Sequence, residues 1–131
     1  MRYSFDLTIP ADTPRDNPAT SEVILSSGIL TRAYVYFHEG CFNHVFVTVS
    51  EALFQIVPAT GTNHLIGNGR LHDIPMNYPL KDSPYALTLK GWSPGTRYAH
   101  TINFYFDLQQ DELALRDKFL ELIESLNEGE A

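Results

Sequence analysis

The sequence predicts a mostly β domain: an antiparallel, jelly-roll-like β-sandwich of about eight strands, followed by one C-terminal amphipathic α-helix. Three observations predict it. Short runs with a period of two recur across residues 1–108. Clusters of Gly, Pro, Asn, Asp and Ser separate them, with no helical stretch between. After Asp107 the period changes to that of a helix.

Tyr3, Phe5, Leu7 and Ile9 alternate with Ser4, Asp6 and Thr8, the pattern of a half-buried strand. Residues 10–18 carry Pro10, Pro14 and Pro18, whose fixed φ angles and missing donors forbid a helix or a central strand. This segment is expected to be a surface-hugging connection, with an extended arm as the alternative. Ser21–Leu25 ends at the Ser26-Ser27-Gly28 turn. Ile29, Thr31, Ala33, Val35 and Phe37 then alternate with Leu30, Arg32, Tyr34 and Tyr36. Past His38-Glu39-Gly40, strands are expected at Val45–Val49 and Leu53–Val57, weakly at Leu71–Met76, and at Tyr85–Lys90. Tyr98, His100, Ile102, Phe104, Phe106 and Leu108 form the longest alternating run. Eight short strands without intervening helices indicate a β-sandwich or small barrel rather than a parallel sheet, jelly-roll-like first and immunoglobulin-like second.

The helical segment and tail occupy 109–131, and the β domain 1–108. Asp107 and Gln110 stand three apart as a capping-box pair, and Asp111 and Glu112 place negative charge in the first turn. Leu115, Phe119, Leu122 and Leu126 follow at spacings of four, three and four, and Leu113, Leu120 and Ile123 widen the stripe. Each such side chain contributes roughly 1.5–3 kcal/mol on full burial. A helix this short is marginal alone. The face centred on Leu115, Phe119, Leu122, Ile123 and Leu126 must therefore be covered. Docking on its own sandwich is the expectation, and packing between subunits the alternative.

With 131 residues, the chain suffices for one domain that folds without disulfide or metal. Cys41 is the sole cysteine, so no intrachain disulfide forms. Sixteen acids against nine bases give a formal net charge of -7, concentrated towards the C-terminal end. Such a surface disfavours a nucleic-acid partner. The opening residues lack the apolar core of a signal peptide, and no apolar run is long enough to span a bilayer. Cytoplasmic synthesis without membrane association is expected, with a virion as a compatible destination.

Chemistry-bearing motifs are sparse. His38, Cys41 and His44 stand at three-residue intervals, but they sit at a turn, a fourth ligand is missing, and Phe42 breaks the H-E-x-x-H pattern. No metal or other cofactor is expected. His72 and Asp73 are adjacent and so face opposite sides of a strand. There is no G-x-S-x-G elbow, and Gly67-Asn68-Gly69 lacks the third glycine and following helix of a phosphate-binding loop. The expected catalytic set is empty. Aromatic residues remain: Tyr34, Tyr36 and Trp92 are candidates for an exposed platform, with Tyr78, Tyr98 and Tyr105 as further members. For Tyr34 and Tyr36, cover by the other sheet or by the helix is the expectation.

The N-terminal strand, Thr8-Ile9-Pro10-Ala11-Asp12-Thr13-Pro14 with Asn17-Pro18, Gly28-Ile29-Leu30, Phe37-His38-Glu39-Gly40-Cys41, and Tyr85–Trp92 together resemble small β-sandwich structural proteins of phage and virus particles. The resemblance spans residues 1–108, excludes the helix, and transfers no site residue. It implies a non-enzymatic virion decoration, capsid or tail component whose partners are copies of itself and a larger assembly. The alternative is a carbohydrate- or ligand-binding module, and the third reading a small cupin-like enzyme.

Overall fold

The computed structural model of the chain describes residues 1–59, 63–110 and 119–126. Among these, eight strands run in order: β1 (Arg2–Ile9), β2 (Ala19–Ile24), β3 (Gly28–Phe37), β4 (Phe46–Glu51), β5 (Phe54–Val57), β6 (Arg70–Leu80), β7 (Ala86–Trp92) and β8 (His100–Gln109). They form two four-stranded antiparallel sheets, ordered β1-β8-β3-β6 and β2-β7-β4-β5. The first strand pairs with the last, the second with the seventh, the third with the sixth, and the fourth with the fifth. Pairings β3–β8 and β4–β7 then join these ribbons side by side. A long double ribbon wrapped over itself in this way is a jelly roll.

Strand alternation decides the core. Leu7 and Ile9 of β1, Val35 and Phe37 of β3, and Phe104 and Phe106 of β8 point inward from one sheet. Val47, Val49, Leu87 and Leu89 meet them from the other. The two inner faces exclude water from one continuous apolar layer, the largest source of stability in a sandwich. Gly91 lies where the sheets approach: a Cβ there would sit 2.2 Å from Ile9 Cδ1.

The proline-rich segment hugs the surface. Thr13 Oγ1 and Ser93 Oγ both donate to the Pro10 carbonyl, Gly95 N donates to Asp12 Oδ1, and Ser93 N donates to the Thr13 carbonyl. The loop is thereby fastened to the turn that follows β7.

Three expectations need correction. The register of β3 shifts between Leu30 and Arg32, a bulge that places Leu30 in the core with Ala33 and leaves Ile29 half-buried. The segment with the weakest strand signal becomes β6, the longest strand at 11 residues. Its Pro75 and Pro79 are tolerated because β6 is an edge strand, whose outer side needs no ladder donors. Asp107 is no helix cap: it lies within β8, and its carboxylate accepts from Arg2 Nε at 2.7 Å. The first turn expected around Asp111 and Glu112 lies outside the described residues. A helix, α1, is formed over 119–126. No described helix is long and apolar enough to cross a membrane.

Candidate functional site

Two surfaces carry the residues singled out in the sequence. On α1, Phe119, Leu122 and Leu126 are 64%, 62% and 66% exposed, and Leu120 and Ile123 are also exposed. Phe119, Leu122, Ile123 and Leu126 follow the i, i+3, i+4, i+7 rule and share one stripe, with Glu121 and Glu124 on the far side. Among the described residues, then, this face is exposed and not buried against its own sandwich. Leu115 and Leu113 lie outside the described residues.

The second surface is the outer face of the β1-β8-β3-β6 sheet. Because the inward positions of β3 and β8 are occupied by Ala33, Val35, Phe104 and Phe106, the alternate positions must face outward. Register then stacks them in rows. Arg2, Asp107 and Arg32 form one row; Ser4, Tyr105, Tyr34 and Asp73 the next; Asp6, Asn103, Tyr36 and Leu71 a third. Tyr34, Tyr36 and Tyr105 are all half-buried, and Leu71 is exposed. Tyr34 and Tyr36 lie on the sheet face turned away from the other sheet, and the expected cover by the helix falls largely on residues outside those described. The Arg2 guanidinium sits 5.0 Å from the centroid of the Tyr34 ring. Arg2, Tyr34, Leu71 and Tyr105 together line a shallow depression of about 260 Å³.

Hydrogen bonds and ion pairs fix the polar groups of this face. Arg2 grips Asp107 through both carboxylate oxygens, at 2.7 and 3.1 Å, and holds that carboxyl below its ordinary range. Arg32 pairs with Asp73. His38 Nε2 donates to Asn103 Oδ1 at 2.6 Å, and Asn103 Nδ2 donates to Asp6 Oδ1 at 2.6 Å. Tyr105 joins the platform through the β3–β8 pairing, a contact between distant segments. Its only trace in the sequence is the phase of alternation in the last strand.

Trp92 does not belong to this platform. It lies on the other sheet, 8% exposed, stacked with Phe46 at 5.9 Å between centroids and edge-on to His64. Arg15 of the proline-rich loop sits 5.5 Å from its ring centroid. Grouping it with Tyr34 and Tyr36 is corrected on that ground: the two sheets separate them.

The His38-Cys41-His44 cluster is taken apart by its turn. His38 turns to Asn103, Cys41 is buried in the core, and His44 is exposed. Burial pushes the Cys41 thiol up, which opposes the thiolate that a metal ligand requires. Among the described residues, no group of three or more His, Cys, Asp or Glu side chains could hold a metal ion. His72 faces inward and donates to the Ile66 carbonyl at 2.6 Å, while Asp73 faces outward. Elsewhere, Tyr78 donates to Glu51 Oε1 at 2.5 Å; burial and that carboxylate push its phenol up to about 12.

No protein-family model matches the chain, and no curated protein does. Among solved structures it is similar to iron(II) HppE at 7% identity and a TM-score of 0.41, over 81% of this chain and 43% of that one. A Bacillus endospore appendage pilus structure matches at 8% identity and 0.41, covering 85% and 88%. A CBM4 structure matches at 10% identity and 0.39, covering 81% and 71%. The chain thus spans less than half the length of HppE. With TM-scores below 0.5, none of these likenesses informs the function of this chain.

Proposed function

We propose that this protein is a non-enzymatic assembly protein, a virion-type decoration, capsid or tail component that acts through contacts with copies of itself and with a larger particle. The observation that carries this reading is α1. Five large apolar side chains, Phe119, Leu120, Leu122, Ile123 and Leu126, are exposed on α1. Contiguous apolar surface of this kind is characteristic of interaction sites. A helix so short gains its stability by burying that face, and the matching stripe on another copy is a self-complementary partner.

The composition fits the same reading. A net charge of -7 opposes binding to nucleic acid. Jelly rolls serve in viral capsids, an analogy at the level of fold alone. Sedimentation velocity of the full chain over a range of concentrations tests the proposal. Association into a discrete multimer is expected; a species that stays monomeric at every concentration would sink it.

A further inference from the structure

The outer face of the β1-β8-β3-β6 sheet is unlike an ordinary solvated sheet face. Tyr34 and Tyr105 are directly opposed across β3 and β8, and Tyr36 follows Tyr34 on the same face, roughly 6–7 Å along the strand. Leu71 extends the apolar strip onto β6. The rings are held in place rather than free, because Arg2 packs over Tyr34 and is itself clamped by Asp107. Rigid aromatic surface of this sort offers contact area at small entropic cost.

The charges around the strip narrow the choice of ligand. Both guanidinium groups, Arg2 and Arg32, are engaged by Asp107 and Asp73. Asp6 accepts from Asn103, which in turn accepts from His38. An anionic ligand would have to compete with Asp107 and Asp73 for these two guanidinium groups. A cationic one would have to compete with hydrogen bonds already made. What remains is a pre-set array of donors and acceptors beside aromatic ring faces. Those features suit a neutral molecule with many hydroxyl groups and with flat C–H faces that pack on electron-rich rings.

We propose that this face binds a neutral saccharide chain, with Tyr36 and Tyr105 stacking on sugar rings beside the Arg2-capped ring of Tyr34, and the N–H groups of Arg2 and Asn103 that Asp107 and Asp6 leave free donating to sugar hydroxyls. The depression is open and about 260 Å³, which suits the side of an extended chain and not a fully enclosed small molecule. No described residue of α1 lines the depression, so a sandwich that binds sugar and a helix that joins subunits can be tested separately.

Isothermal titration calorimetry of the full chain against cello-, laminari-, xylo-, manno- and chito-hexaose tests it, with a heparin fragment as the charged control. At least one neutral oligosaccharide is expected to bind with a Kd of about 1 mM or tighter. Tyr34→Ala and Tyr105→Ala should each weaken that binding by roughly tenfold, whereas Tyr105→Phe, which keeps the ring, should retain it. Amide shift changes in the unaltered protein should map to β3 and β8, independently of how well the variants fold. A polar variant of α1 should bind the sugar equally well. Binding by none of the neutral chains, binding by heparin alone, or shifts confined to another surface would overturn the proposal. A pull-down showing a protein partner on this face, displaced by no sugar, would do the same.

Discussion

Gly91 has space for a hydrogen and little else, since Ile9 Cδ1 and Cγ1 would lie 2.2 and 2.7 Å from any added Cβ. Gly91→Ala should destabilise the fold by about 1–3 kcal/mol, read from urea denaturation. Tyr78 makes a second, pH-dependent test. Its phenol is pushed up to about 12, above the ordinary value near 10, so the folded state holds this proton longer than the unfolded chain. The resulting stabilisation is complete below roughly pH 10 and fades as pH climbs towards 12. The stability difference between the parent protein and Tyr78→Phe should therefore shrink over that window, and a constant difference would refute the assignment. Asp107 carries the opposite sign. Arg2 lowers its carboxyl, so its contribution is present above roughly pH 4 and is lost on acidification. Asp107→Asn should melt earlier than the parent at neutral pH, with the gap closing in acid. The sequence supplied the identities at these positions but not the partners. Arg2 and Asp107, or Tyr34 and Tyr105, meet only through strand pairings between distant segments.

Strands were legible wherever alternation was unbroken. β1, β3, β7 and β8 could be read from their period of two because one face of each is buried and the other is not. β6 was obscured by Pro75 and Pro79, residues that argue against a central strand yet suit the edge it occupies. The bulge near Thr31 was equally hidden: one extra residue reverses the faces upstream of it, and no residue type announces the shift. The helix-start signal at Asp107 failed because a carboxylate three residues before Gln110 suits a cap and an ion pair equally well, and the β1–β8 ladder decided between them. At this scale the core makes the firmest prediction. Phe104 is fully buried between the sheets, and Phe104→Ala should cost about 3–5 kcal/mol in equilibrium unfolding. A loss below about 1 kcal/mol would mean that the inner face of β8 is misassigned.

At the level of the whole molecule, the jelly roll encloses its own core, while the described apolar side chains of α1 are exposed. The sequence posed the question of where the apolar stripe is buried, and periodicity alone could not answer it, because a stripe looks the same whether it meets its own sandwich or another copy. The exposure of Phe119, Leu122 and Leu126 turns that question towards assembly. The platform was partly legible in the same sense. Tyr34 and Tyr36 were readable as neighbours on one face, but Trp92 was grouped with them because sequence position does not tell one sheet from the other. The most direct test of the account compares the light-scattering mass of the full chain with that of a Phe119→Ser, Leu122→Ser, Leu126→Ser variant, each checked by thermal melting. The account predicts a multimer for the parent and a monomer for the variant, with the sandwich melting at the same temperature in both. A monomeric parent, or a multimer that survives all three substitutions, would contradict it.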